Sequence, residues 1–364
     1  MTHAPKDPDA PAPGQEPAAG PPPRRRRRVL RWVAAATAVV ALGAGGTAYW
    51  LYSRLDSNIK GVDIDRAIGD NRPPKQPTSG QNLLILGSDS RAGANGAFHA
   101  GHVSGARADT TLVVHIPEGR ARATAVSIPR DTLVNRPECL DSHGRKLPPA
   151  RRVMFNSVYS LAGPACVVDT VEHMSGVRMD HYMEVDFAGF KGLVDAIGGV
   201  DVSVRENIHD HHSGLDLTAG RHRLNGTQSL QFVRTRYGIG DGSDLGRISM
   251  QQKFLIALLG EIKKQDLLDS PAKAYTVADQ LTGCLTTDSG LASLTKLTEF
   301  ARSMHGVSPS TTEMIMLPVR YDPQDPNRVV AARPQSDELW KALRADEPVP
   351  AAAKKSPAGG GATP

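Results

Sequence analysis

Cysteine is scarce in this chain: three in 364 residues, at positions 139, 166 and 284. That excludes a cysteine-dense, disulfide-stapled scaffold. Net charge is scarce too, once it is located. The formal charge is +5 and the pI about 9.1. Seven Lys/Arg stand against three acids before Trp32, which leaves 36 bases and 35 acids for everything after it. The basic pI therefore does not point to nucleic acid, and no DNA-binding motif is recognisable. Any anion held by the later part must be caught by locally placed arginines. No unit recurs at a fixed period, which argues against a repeat architecture. The glycine-rich stretch at 238–246, GIGDGSDLG, lacks the βαβ context and spacing of a dinucleotide fingerprint and reads as a flexible lid or loop.

Long apolar runs are equally rare, and the single one present is informative. From Trp32 to Tyr52 there is no charged residue, a length of about 20 residues that can cross a bilayer. Trp32, Tyr49, Trp50 and Tyr52 sit at its two ends, where amphipathic rings favour the headgroup level. Arg24 to Arg28 precede it and orient that end toward the cytoplasm, so the chain beyond Tyr52 faces outward. A secretory signal cleaved near Ala41, Leu42 and Gly43 is the alternative, but the uncharged stretch runs on to Tyr52 and favours a retained anchor. A nucleic-acid or import patch directly abutting a span is disfavoured.

These features divide the chain into a disordered basic tail at 1–28, an anchor at 29–52, a juxtamembrane stalk at 53–80, an extracytoplasmic domain at 81–345 and a disordered tail at 346–364. Both tails are rich in Pro, Ala and Gly and carry too little apolar surface to offset ordering entropy. In an outward-facing domain Cys139 and Cys166 are the natural disulfide, leaving Cys284 as a thiol; three buried free thiols are the alternative.

Within the domain, NLLILG (82–87), TTLVVHI (110–116), RATAVSI (122–128), HYMEVDF (181–187) and VDVSV (200–204) read as strands. Helices are expected over 165–174, 187–197, in GTQSLQF, and from a cap at Asp244 to about Lys264. Alternating strands and helices argue for an α/β sandwich with helices on both sheet faces. The glycine-rich stretch before 105 reads as a mobile loop. His209, Asp210, His211 and His212 superficially resemble a metal cluster, but adjacent histidines in a polar loop are better read as solvated.

Charged residues gather at strand ends. Asp89 and Arg91 follow the first strand, Arg107 and Asp109 precede or open the second, and Arg130 follows the third with Asp131. Ligands of open α/β sheets sit in crevices at strand ends. Carboxylates with guanidiniums suit a divalent metal plus a phosphorylated substrate. Arg234 and Arg236 are two apart, which puts both on one face of an extended backbone. Arg247 falls in a helix's first turn, a poor place for a cation unless an anion is bound there. Singly, each arginine is more simply a solvated salt-bridge partner.

As a set, NLLILGSDSR, RADTTLVV, SIPRDTLV, DHYMEVDFAGFKGLVDAIGGVDVSV, LNGTQSLQFVRTRY and DLGRISMQQ resemble the successive motifs of the LytR-CpsA-Psr family, in order over about 81–260. The resemblance implies an α/β/α sandwich with a central mixed sheet and an apolar pocket for a polyprenyl chain. It implies Mg2+, with Mn2+ as the alternative, held by Asp89 and Asp109. It also implies a pyrophosphate clamp of Arg91, Arg107, Arg130, Arg234, Arg236 and Arg247, with Gln251 and Gln252 on the following helix. Asp89, Asp109 and Arg130 would be the catalytic residues. One departure stands out: Met250 occupies a position where the family often has Arg. The implied reaction moves a glycopolymer from a polyprenyl-pyrophosphate carrier at the membrane to a muramic acid hydroxyl of peptidoglycan. A phosphodiester forms, polyprenyl phosphate leaves and no ATP is needed. The competing expectations are a polyprenyl-pyrophosphate phosphatase and a non-catalytic lipid-binding or regulatory protein of the envelope.

Overall fold

The structure, a computed structural model, describes residues 24–88, 108–141, 144–235, 244–265 and 270–358. The chain divides into two compact units, Met1–Tyr52 and Ser53–Pro364. Helix α1 (Arg24–Asn58) supplies the described part of the first unit. Its stretch Val29–Asn58 is long and apolar enough to cross a membrane. Val33, Val39, Val40 and Leu42 are all exposed on it, an apolar surface that suits a single span.

The second unit runs β1 (Lys60–Val62), α2 (Ile64–Ile68), β2 (Gln81–Ser88), β3 (Ala108–Ile116), β4 (Ala123–Ser127), β5 (Leu133–Arg136), β6 (Cys139–Leu140), β7 (Lys146–Leu147), β8 (Ala150–Met154) and α3 (Phe155–Ser175). It continues through β9 (His181–Asp186), α4 (Phe187–Ala196), β10 (Val200–Val204), β11 (Ile208–Asp210), β12 (Leu215–Leu217), β13 (Gly220–Leu224), α5 (Gly226–Arg234) and α6 (Asp244–Lys264). It closes with α7 (Pro271–Gly283), β14 (Leu285–Asp288), α8 (Leu294–Ser303), β15 (Thr312–Met316), β16 (Val319–Tyr321), β17 (Val329–Ala331) and α9 (Gln335–Arg344).

Seven strands form the central sheet in the order β1-β14-β9-β2-β3-β4-β15. β2 pairs parallel with β9 and antiparallel with β3, and β4 pairs antiparallel with β3 and parallel with β15. The sheet is therefore mixed. Side chains alternate across it with the strand period of two. Leu84, Leu86, Val113, Val126 and Ile315 enter one core, packed with residues of α3 and α9. Ile85, Leu112, Val114, Ala125 and Met314 face the other way, against Leu255 and Ile256 of α6. Helices thus cover both faces, giving the expected α/β/α sandwich. A further apolar cluster joins α4, β10, α5 and α6 around Phe254.

Several elements differ from the sequence expectation. The segment read as a stalk contributes β1, an edge strand paired with β14; three residues, KGV, carry no readable alternation. Beyond 345, Val349 and Ala353 are buried and Ser356 bonds to the backbone of Val319, so part of the segment read as a disordered tail packs on the domain. Helix α3 begins at Phe155, ten residues before the expected start, because Gly163 (φ 72°) breaks the helical path in front of Pro164 and lets two helical segments join. β10 has the expected bounds but pairs only with β13, outside the central sheet. His209 and Asp210 lie in β11 rather than a loop. The Asp210 carboxylate is buried and accepts from the His212 N–H at 2.9 Å, so it organises the turn.

Cys139 and Cys166 are disulfide-bonded, with Cα atoms 5.5 Å apart. Cys284 is a free, buried thiol whose pKa burial pushes up to about 12, so it is not a reactive nucleophile. Gly189 makes its position possible: a Cβ there would lie 1.8 Å from Cys284 Cβ, so only glycine lets α4 lie this close.

Candidate functional site at one end of the sheet

Strand direction places the site. β2 and β9 end together, with Ser88 opposite Asp186. β3 begins beside them, with Ala108 opposite Ser88, and β4 finishes with Ser127 opposite Leu112. The segments carrying Asp89, Asp109 and Arg130 therefore leave or enter the sheet at one end. Asp89, Arg91, Arg107 and Arg236 lie outside the described residues, as do the side chain of Asp109 and most of the 238–246 stretch. Among the described residues, no group of three His, Cys, Asp or Glu could hold a metal ion.

Helix α6 brings Arg247, Gln251 and Gln252 together and ties them to the ends of α5 and β4, whereas Arg130 lines a cavity with residues of α3 and with Arg328. Arg247, Gln251 and Gln252 are all buried, at 4, 7 and 3 % exposure. Arg247 and Gln251 are four apart, hence on one helix face. Gln251 Nε2 donates to the Val233 carbonyl at 2.9 Å, tying α6 to the end of α5. Gln252 Nε2 donates to Ser127 Oγ at 3.3 Å, tying it to the end of β4, three residues before Arg130. Arg247 lies in the first turn of α6, where the helix dipole disfavours a cation and favours an anion beside it.

Arg234 is the last residue of α5, and only Thr235 after it is extended. The expectation of an extended Arg234 is thus corrected: the capping box of Asn225 and Gln228 starts a helix that runs through it. Its guanidinium stands 5.6 Å from the centroid of the Phe187 ring, a cation–π contact that holds the charge in place. That ring also lies 3.8 Å from where a Cβ on Gly87 would be, so Arg234 is positioned beside the end of β2. Sequence reasoning missed Phe187; an aromatic residue opening a helix gave no signal of it.

Arg130 sits on a turn fixed by backbone bonds. The Asn156 N–H donates to the Arg130 carbonyl at 3.0 Å and the Phe155 N–H to the Thr132 carbonyl at 2.9 Å, so the first turn of α3 spends its free donors there. Arg130 lines a cavity of about 320 Å3 with Asp131, Asn156, Ser157 and Arg328. Asp131 lies 3.6 Å from both Arg130 Nε and Arg328 Nη1. Arg328 was not anticipated, because it lies nearly 200 residues from Arg130 in sequence. Met250, at the position of the family's frequent Arg, is buried in the apolar cluster with Phe254 and Leu258. The substitution serves packing there.

Buried guanidinium and carboxamides thus gather at the end of a mixed sheet, and among the described residues one helix is long and apolar enough to cross a membrane. A model of the LytR_cpsA_psr family matches residues 51–345. The chain belongs to the LytR-CpsA-Psr family. Among its relatives, the cell wall biosynthesis protein LcpA of Corynebacterium glutamicum is 30% identical over 322 residues. That match covers 80% of this chain, and this chain spans 60% of the relative's length. A polyisoprenyl-teichoic acid–peptidoglycan teichoic acid transferase, TagU of Enterococcus faecalis, is 29% identical over 74% of this chain and 80% of its own. A solved structure, the LytR-Csp2A-Psr enzyme from Actinomyces oris, superposes with a TM-score of 0.57 at 26% identity, covering 78% of this chain and 95% of that one. This LytR-CpsA-Psr chain thus shares both sequence motifs and fold with its relatives.

Proposed function

We propose that this chain is a membrane-anchored phosphotransferase that moves a glycopolymer from a polyprenyl-pyrophosphate carrier onto peptidoglycan. The observation that carries the reading is the α6 set, Arg247 with Gln251 and Gln252, buried at the sheet end beside Arg234 in a chain whose relatives include a teichoic acid transferase. A buried cation at a helix N-terminus is suited to a multiply charged oxyanion. Arg91, Arg107, Arg130 and Arg236 complete the clamp in this reading.

A muramic acid hydroxyl attacks the sugar-proximal phosphorus. The new P–O bond is the phosphodiester, and the bond to the bridging oxygen breaks to release polyprenyl phosphate. Phosphoryl transfer calls mainly for positioning and charge neutralisation, which fixed guanidiniums supply. Asp89 and Asp109 would hold Mg2+, or Mn2+, whose charge would further neutralise the pyrophosphate oxygens. The polyprenyl chain is assigned to the α6 face of the sheet, where Ile85, Val114, Leu255 and Ile256 are only partly buried. Placement of the domain outside the cytoplasm is supported by the Cys139–Cys166 disulfide and by the arginine block before the span.

The test is product analysis with purified full-length protein, a lipid-linked glycopolymer and peptidoglycan. Muropeptides bearing polymer through a phosphodiester are expected. Release of polymer phosphate and polyprenyl phosphate with no linked muropeptide would make water the acceptor and overturn the transfer reading.

A further inference from the structure

Beyond the clamp, a second group of arginines surrounds the β16–β17 hairpin. A cavity of about 450 Å3 there is lined by Arg152, Arg320, Arg333, Asp322 and Gln324. The three guanidiniums come from β8, β16 and the segment before α9, so the fold gathers them from distant parts of the chain.

Their charges are unevenly satisfied. Asp322, with a side chain 2 % exposed, accepts from Arg152 Nη2 at 2.6 Å, and its own N–H donates to the Arg328 carbonyl at 2.9 Å. That pair fixes Arg152 in the cavity wall. Arg333 meets Asp337 at 3.5 Å, with both side chains largely in solvent, a contact worth little. The Arg320 side chain is exposed and makes no ion pair or hydrogen bond among the described residues. Three guanidiniums thus face two carboxylates, and one whole fork is free to take an oxyanion. Arg forks match phosphate and carboxylate oxygens bidentately.

The position of this cavity decides the ligand. It adjoins the Arg130 cavity along two backbones. Met154 and Arg152 of β8 line the first and second cavity respectively, as do Arg328 and Val330 at β17. Each pair is two residues apart, roughly 7 Å along extended chain. An anionic strand held at Arg130 can therefore continue to Arg320 without leaving the protein surface.

We infer that the Arg152–Arg320–Arg333 cavity is a second anion subsite, binding a charged group on the repeat units of the transferred glycopolymer beyond the pyrophosphate. This rests on the transfer reading above and adds selectivity for anionic over neutral donors.

The test uses the full-length protein and two donors: a polyprenyl-pyrophosphate disaccharide, and the same lipid extended by glycerol-phosphate units. The double variant Arg320→Ala, Arg333→Ala lies outside the clamp. It should lower kcat/KM for the charged donor about tenfold or more, the loss expected for charge-assisted contacts, and change the neutral donor less than about twofold. An equal effect on both donors, or none on the charged one, overturns the subsite. A loss that disappears when the acceptor's stem-peptide carboxylates are amidated also overturns it, because the cavity would then read peptidoglycan. Arg234→Ala serves as the separate control: if it leaves transfer of both donors intact, the clamp reading fails instead.

Discussion

The two faces of the central sheet come from alternate residues of the same strands, yet they are finished differently. On the α3 face Leu84, Leu86, Val113 and Val126 are buried to 5 % exposure or less, and charge is neutralised within the chain. Arg72 donates to both Glu172 oxygens at 2.8 and 2.6 Å and to the Met179 carbonyl at 2.8 Å. On the α6 face Ile85 and Val114 are only partly buried, and arginine and glutamine side chains gather at the sheet end. One face spends its side chains on stability. The other keeps apolar surface and oriented donors available, as the proposed lipid-pyrophosphate site would require.

Breaking the sealed face should have the largest effect. Glu172→Ala leaves the buried Arg72 with the solvent-exposed Asp65 as its remaining carboxylate partner among the described residues, and should cost about 3–5 kcal/mol, read by denaturant unfolding. Next, Leu86→Ala on the sealed face should cost about 2–5 kcal/mol, while its neighbour Ile85→Ala on the open face should cost about 1 kcal/mol or less. Equal costs would erase the distinction between the faces. A smaller effect is expected from Phe187→Leu, which removes the ring under Arg234. Transfer should slow about three- to tenfold, within the range of a cation–π contact, with little change in melting temperature.

The smallest effect concerns pH. Burial holds the His115 imidazole below its ordinary pKa, with Asp346 pulling the other way. Its Nδ1 lies 2.8 Å from Asn82 Oδ1 and its Nε2 2.9 Å from Asp346. Because the folded pKa is lowered, the unfolded chain binds the proton first. Stability from this group is complete above pH about 6.5 and declines as pH falls toward the folded value. Unfolding midpoints of His115→Gln should show a flatter profile in that window; an unchanged slope would mean that His115 does not set it.

Legibility in the sequence followed burial and length. NLLILG and TTLVVHI announced β2 and β3 because strands buried on both faces are apolar throughout. The hairpins β5–β8 and β16–β17 were silent, since VRY and VVA are three residues each and ARRVM is interrupted by two arginines, too little to show a period. Their absence hid Arg328 and the second arginine cavity, whose members meet only through tertiary folding. Arg247 drew attention as a cation in the first turn of the long α6, whereas Gln251 and Gln252 came into view only through the family resemblance. Arg234 was placed in the wrong backbone state, since α5 runs two residues past GTQSLQF and carries it out of the expected extended segment. Phe187 acts through a contact across elements, which local pattern does not encode.

The most direct measurement is equilibrium binding of geranylgeranyl pyrophosphate, a soluble stand-in for the carrier, to wild type, Arg234→Ala and Leu86→Val. Arg234 caps the open face beside β2, and Leu86 belongs to the sealed one. Arg234→Ala should raise the Kd at least about tenfold, as loss of a charge-assisted contact requires, while Leu86→Val binds as wild type. Unchanged binding by Arg234→Ala, or an equal loss in both variants, would contradict the assignment of the pyrophosphate to this end of the sheet.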